Sequence, residues 1–204
     1  MKGYYFITDS LLSRAGNRSD VHAAVSSGVE VVQYRNKNAD TREMYLEALE
    51  LARICRAGGS LFLINDRLDV ALAVETDGVH LGQTDMPCTR ARKLLGREKV
   101  IGVTVHNLAE AMQAEEEGAD YLGVSPIFST STKKDAGRPA GIRLIEEIRE
   151  QVSLPLVAIG GINHSNAPEV IRAGADCLCA ISCVVAEENV SGRIRRFQEL
   201  FEGR

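Results

Sequence analysis

Three short stretches of this chain follow one plan: Glu75-Thr-Asp-Gly-Val, Glu117-Gly-Ala-Asp-Tyr and Ala173-Gly-Ala-Asp-Cys. In each, a helical pattern ends, an Asp stands in the turn, and an apolar run begins. Glycine at a helix end supplies the left-handed cap, and an Asp side chain accepts hydrogen bonds in the turn that follows. Reuse of one helix-to-strand unit constrains the fold strongly, because it calls for strands and helices in alternation along the chain.

The rest of the sequence supplies that alternation. Apolar runs too short for helices lie at 4–8, 29–35, 61–64, 78–82, 100–104, 121–127, 154–159 and 177–181. Between them stand helical patterns. One runs over 20–27 and stops at Gly28. A longer one opens at Asp40, three positions ahead of Glu43 as in a capping box, carries Met44, Ala48, Leu51 and Cys55 at helical spacing, and ends at Gly58-Gly59. Leu68, Ala71 and Leu72 mark a short helix, 108–117 opens at Asn107 with Glu110 three residues on, and 142–151 turns Ile142, Ile145 and Ile148 inward. Eight strands, each followed by a helix across links of a few residues, predict an α/β fold: a single (β/α)8 TIM barrel, one domain spanning 1–204.

Composition narrows the partners. The 24 basic and 28 acidic residues are well mixed and sum to −4, which leaves no electrostatic footprint for nucleic acid or an anionic membrane. The apolar run 4–7 is broken by Thr8 and Asp9, so no signal-peptide core forms, and no segment is long enough to span a bilayer. A soluble cytoplasmic protein with small-molecule partners is expected, and a homo-oligomer is compatible with the sequence. Five cysteines, an odd number, exclude a full disulfide framework; Cys177 and Cys179 share a strand face but lack a second ligand pair at metal spacing.

In such a barrel, chemistry sits where the strands end. The second strand delivers Gln33, Arg35 and Lys37, the third Asn65 and Asp66, the fourth Gln83 and Asp85, and the fifth Thr104 and His106. The sixth delivers Thr130, Thr132 and Lys133, the seventh Gly160-Gly161, and the eighth Ser182. Asp66 or Asp85 alone could cap a helix or shape a turn, and Arg35 with Lys37 could be a solvated pair. Together, two carboxylates opposite Arg35, Lys37 and Lys133 suit a Mg²⁺ ion that completes its shell with substrate phosphates and water. Gly161 and Ser182, after the seventh and eighth strands, stand where barrels hold a phosphate on backbone N–H groups, and a Cβ at Gly161 is expected to obstruct that approach. His106, His80 and His22 read as structural residues.

The ordered motifs Gln33-Tyr-Arg-Asn-Lys37, Ile64-Asn-Asp66, Asp77-Gly-Val-His-Leu-Gly-Gln-Thr-Asp85, Gly102-Val-Thr-Val-His106, Gly118-Ala-Asp-Tyr-Leu-Gly123, Thr130-Ser-Thr-Lys-Lys-Asp135, Ala158-Ile-Gly-Gly-Ile162 and Ala180-Ile-Ser182 span nearly the whole chain. As a set they resemble the thiamine-phosphate synthase family. The resemblance implies a (β/α)8 barrel that joins a hydroxymethylpyrimidine diphosphate to a thiazole phosphate with Mg²⁺ and releases diphosphate. It further implies that Gln33, Arg35, Lys37, Asn65, Thr104 and Lys133 bind the pyrimidine diphosphate. Asp66 and Asp85 would hold the metal, and Thr130, Thr132, Gly161, Ile181 and Ser182 the thiazole phosphate, with Arg35, Lys37 and Lys133 acting catalytically on the leaving group. Tyr34 and Asn36 depart from the Leu and Glu usual in the family, Thr104 stands where Ser is common, and the last strand is unusually rich in Cys. Three other readings share the barrel: a thiazole tautomerase-like isomerase that needs no metal, a non-catalytic phosphate-binding regulatory barrel, and a Schiff-base aldolase using Lys133. The last gives no reason for Asp66 and Asp85.

Overall fold

The first strand of the chain decides whether the sheet can close, because it must pair on both edges. In the computed structural model, which describes residues 1–132 and 137–202, it does so in two halves. The first half, β1 (Gly3–Tyr4), pairs with β9 (Cys177–Cys179), and the second, β2 (Phe6–Ile7), pairs with β3 (Val31–Tyr34). Tyr5 between them donates its N–H to Leu178 O at 2.8 Å, and Thr8 N–H donates to Gln33 O at 3.0 Å. The pairing continues through β4 (Leu61–Asn65), β5 (Gly78–Leu81), β6 (Val100–Val105), β7 (Tyr121–Val124) and β8 (Leu156–Ile159), every pair parallel. Counting β1 and β2 as one extended segment, the result is a (β/α)8 barrel.

Helices cover the outside: α1 (Asn17–Ser26), α2 (Thr41–Gly58), α3 (Leu68–Val74), α4 (Cys88–Leu95), α5 (Leu108–Glu116), α6 (Arg143–Gln151), α7 (Ala167–Arg172), α8 (Ser182–Val185) and α9 (Val190–Gln198). The caps expected from sequence are present. Asp40 and Glu43 form a reciprocal capping box at the start of α2, Asn107 accepts from Glu110 N–H at the start of α5, and Gly59 ends α2 in the left-handed conformation. Gly58 serves packing instead: a Cβ there would lie 1.9 Å from Val25 Cγ1, so only a glycine lets α1 approach α2 this closely.

Strand side chains alternate between two cores, as period-two geometry requires. Phe6, Val32, Phe62, Ile64 and Leu122 point outward and pack under the helices with Leu51, Ile145 and Ile148. Tyr5, Ile7, Val31, Leu63, Tyr121, Val157, Cys177 and Cys179 fill the barrel interior. All five cysteines are free, and burial pushes the Cys55 and Cys177 thiols up to about 12, so they behave as small apolar groups at neutral pH. Among the described residues no helix is long and apolar enough to cross a membrane.

The repeated junctions pin the strand register. Each repeat Asp exchanges two hydrogen bonds with one residue of the preceding strand. Asp77 Oδ2 accepts from Phe62 N–H, Asp120 Oδ2 from Ile101 N–H and Asp176 Oδ2 from Leu156 N–H, at 2.7–2.8 Å. The three Asp N–H groups return bonds to Phe62 O, Ile101 O and Leu156 O. Glu30 does the same work ahead of β3, accepting from Lys2 N–H at 3.0 Å. Two arginines brace the turns alike: Arg92 bonds Gly118 O and Asp120, and Arg149 bonds Gly174 O and Asp176. Gly118 and Gly174 take the positive φ their turns need, whereas Glu75 takes it at the first junction without being glycine.

Two strands end earlier than their apolar runs suggest. The run 121–127 leaves strand geometry at Val124, because Pro126 lacks the N–H a ladder needs, and 177–181 stops at Cys179 as the chain turns into α8.

Asp176→Ala removes the acceptor of the Leu156 N–H, in a residue that is fully buried. Urea unfolding should show a loss of about 1–3 kcal/mol, the cost of leaving a buried donor unpaired. Arg149→Ala should cost less, since its partner carboxylate is half exposed and that ion pair is screened.

Candidate active site

Inward parity carries through to the strand ends. Gln33 and Arg35 continue the face of Val31, Asn65 that of Leu63, and Thr104 that of Val100. Ile159 continues that of Val157, and Ile181 that of Cys179. The outcome is one cavity lined by Gln33, Arg35, Lys37, Asn65, Asp66, Asp85, Thr104, Thr130, Thr132, Gly161, Ile181 and Ser182. These are all the candidate residues except Lys133, which lies outside the described residues.

One side of the cavity is ionic. Lys37 Nζ is 3.3 Å from Asp66 Oδ2. Asp66 takes a positive φ of 62° and donates its N–H to His80 O at 2.8 Å, which turns its side chain away from the course of β4. Asp85 Oδ2 accepts from Gly82 N–H at 2.7 Å. Burial, and after it the adjoining Asp66 carboxyl, push the Asp85 carboxyl above the usual range, against the pull of the Gly82 N–H. Two carboxyls in mutual contact, one desolvated, form a donor set that a divalent cation would relieve. Among the described residues no group of three or more His, Cys, Asp or Glu could enclose a metal. The pair therefore fits Mg²⁺, which takes one or two carboxylates and fills its shell with phosphate and water, and does not fit an ion that needs an all-protein cage.

The opposite side is built from backbone. The chain beyond β7 folds onto the end of β8, with Ile127 N–H donating to Ile159 O at 2.9 Å and Phe128 N–H to Gly160 O at 3.0 Å. This brings Thr130 and Thr132 to the cavity beside Gly160, Gly161 and the start of α8 at Ser182. Gly161 serves the path of the chain at this point. Its φ is 63°, and a Cβ there would meet Ser129 O at 2.5 Å and Phe128 Cβ at 2.7 Å. The missing side chain makes room for the chain after β7.

Residues 4–184 match the family described as thiamine monophosphate synthase. The thiamine-phosphate synthase of Methanosarcina barkeri is 53% identical over 197 residues, covering 97% of this chain and 89% of that protein. That of Chloroflexus aurantiacus is 52% identical, covering 96% and 91%. The solved structure of thiamine phosphate pyrophosphorylase from Pyrococcus furiosus superposes with a TM-score of 0.90 at 41% identity, covering 98% of this chain and 95% of that one. The chain belongs to the thiamine monophosphate synthase family.

Asp9 and Thr8, which steer Arg35 from behind, escape a reading of motifs. Asp9 is buried and places Oδ2 3.3 Å from Arg35 Nη1, while Oδ1 accepts from Leu11 and Leu12 N–H. Thr8 Oγ1 accepts from Arg35 N–H at 2.9 Å. The guanidinium is thus aimed from the loop just beyond β2, 26 residues away in sequence. Gln83 Nε2 donates to Thr104 O, and His106 Nδ1 lies 3.0 Å from Glu110 Oε2. His80, read from sequence as structural, does make structural hydrogen bonds, yet it also lines the cavity. Its inward parity on β5 was the available signal.

The raised Asp85 pKa sets a pH dependence. A carboxyl whose folded pKa exceeds its unfolded value destabilises the fold when ionised, above the folded pKa, and not below the unfolded one. Asp85→Asn should therefore raise the melting temperature of metal-free protein at neutral pH. The gain should shrink as pH falls through the carboxylate range, as followed by thermal melts in a pH series with chelator.

Proposed function

We propose that this chain makes thiamine phosphate by joining 4-amino-5-hydroxymethyl-2-methylpyrimidine diphosphate to a thiazole phosphate, releasing diphosphate, as one catalytic domain in the cytoplasm. The observation that carries this reading is a single cavity with an ionic wall of Arg35, Lys37, Asp66 and Asp85. That wall is separated by the floor of Gln33, His80 and Thr104 from a wall of Gly160, Gly161, Thr130, Thr132 and Ser182. Two phosphorylated substrates and a reaction between them fit that division.

In the proposed assignment, Gln33, Asn65 and Thr104 hold the pyrimidine, and Arg35, Lys37 and Lys133 hold its diphosphate. Thr130, Thr132, Gly161, Ile181 and Ser182 hold the thiazole phosphate. Asp66 and Asp85 would hold Mg²⁺, which when bound supplies positive charge to the departing diphosphate. The protein's own cations act on the same bond. As the methylene C–O bond breaks, its electron pair leaves with the diphosphate, and Arg35, Lys37 and Lys133 offset the growing charge. The pyrimidine-methyl cation left behind is captured by the lone pair of the thiazole nitrogen, forming the C–N bond. That nitrogen carries no proton to lose, so no strong general base is required. Asp9 holds the Arg35 guanidinium in place throughout, and seating both substrates in one cavity supplies alignment.

The test is an assay with both substrates, with and without Mg²⁺. Product should form only when all three are present, whereas isomerisation of the thiazole phosphate without metal and with no coupled product would favour the tautomerase-like alternative instead. Asp66→Ala and Asp85→Ala should each lower turnover by about a hundredfold, the scale of losing one preorganised electrostatic group. Lys133→Met, which keeps much of the stem but not the charge, should slow single-turnover chemistry more than it weakens substrate binding.

A further inference from the structure

Beneath the cavity floor a run of polar side chains crosses the barrel interior from one wall to the other. Gln33 Nε2 donates to Tyr5 Oη at 2.8 Å. Tyr5 Oη lies 2.6 Å from Tyr121 Oη, which lies 2.8 Å from His80 Nδ1. His80 Nε2 lies 2.8 Å from Thr104 Oγ1. The five residues come from five different strand segments, and all are buried. Gln33, His80 and Thr104 line the cavity, while the two tyrosines lie in the layer below.

Two glycines show that space is reserved for these rings. A Cβ at Gly102 on β6 would fall 2.3 Å from Tyr121 Oη, and one at Gly123 on β7 would fall 2.9 Å from His80 Cε1. Neither glycine has a positive φ, so the backbone does not require it. The neighbouring rings do.

The protons on this chain are mutually constrained. Tyr5 Oη accepts from Gln33, so its single proton goes to Tyr121 Oη. The Tyr121 proton then goes to His80 Nδ1, which makes Nδ1 the acceptor of a neutral imidazole. The ring proton sits on Nε2 and goes to Thr104 Oγ1. Running the chain the other way would require the Gln33 carboxamide to turn over and offer its oxygen to the Tyr5 proton, in place of the Nε2 donation present here. With this polarity the Thr104 hydroxyl proton and the Gln33 carboxamide oxygen are left for whatever occupies the cavity.

We propose that Tyr5, Tyr121 and His80 are positioning residues whose proton-ordered chain fixes Thr104 as a donor and Gln33 as an acceptor. The floor thereby selects a ring that offers an amino donor and an unprotonated ring nitrogen over the corresponding oxo ring. The ligand class rests on the aminopyrimidine reading above. The oxo analogue presents the reverse pattern, a carbonyl acceptor and a ring N–H, so its carbonyl would meet the Gln33 oxygen, and Thr104 could accept its N–H only by turning the hydroxyl proton away, unpaired. A site built around such hydrogen bonds discriminates by leaving buried groups unpaired in the wrong complex.

Two measurements test this. The first needs no ligand: ¹⁵N NMR of the histidine side chains, with the His80 signals assigned by a His80→Asn variant. A neutral Nε2–H tautomer at pH 7 is expected, and an Nδ1–H tautomer or an imidazolium would overturn the chain's polarity. The second is equilibrium binding of the amino- and oxopyrimidine diphosphates to wild type, Tyr121→Phe and Tyr5→Phe, each variant checked for folding by circular dichroism. The preference for the amino compound should narrow by at least about tenfold in each variant, with binding of thiazole phosphate unchanged. An unchanged preference in folded variants would overturn a positioning role, and a wild type that binds both compounds equally would overturn the selection. Wild type that binds neither, with His80 in the Nε2–H form, sinks the substrate reading and leaves the hydrogen-bond chain standing.

Discussion

The carboxylates at the amino ends of the strands are the contacts on which the remaining geometry depends. Asp77, Asp120 and Asp176 each bind the backbone of the strand before their own, and Glu30 does so for the first segment. A parallel barrel has no hairpins to set register, so something local must. A slip of one residue would turn every side chain to the opposite face. Gln33, Arg35, Asn65 and Thr104 would then lie under the helices, and Tyr34, Ile64 and Val103 would face the cavity.

The barrel thus divides its labour along its axis. At the amino end, carboxylates, arginines and left-handed turns hold register. The interior begins with apolar packing around Val31, Leu63, Val157 and Cys177. It becomes polar and fully hydrogen-bonded through Tyr5, Tyr121 and His80. At the carboxyl end, charged groups face the cavity, where Asp66 and Asp85 are kept in a contact that is unfavourable without a cation. Stability is thus invested at the end away from the chemistry.

Much of this was legible because it is local. Alternating apolar runs, capping residues and the recurring Asp turn depend on neighbours a few positions apart, and strand parity converts them into a list of inward residues. His80 was within reach of that logic, since it sits two positions before Gly82 on a strand whose end was already recognised. An isolated histidine, however, carries little meaning until its partners are known. Gly161 illustrates the opposite case: its place after β8 is legible in the sequence, but the atoms that its missing side chain accommodates, in Phe128 and Ser129, are not.

The sequence by itself determined the strand–helix alternation, the faces of the strands and the kinds of groups gathered at their ends, since each follows from backbone periodicity and from residue chemistry. Only the tertiary structure decided which of those groups touch. Asp9 meets Arg35, Tyr5 meets Tyr121 across 116 residues, and the Asp66 carboxyl adjoins that of Asp85. Such contacts are set by closure of the sheet, which brings the first strand against the last and aims side chains across the interior from opposite walls. Nothing in local propensity encodes a distance measured through the centre of a barrel.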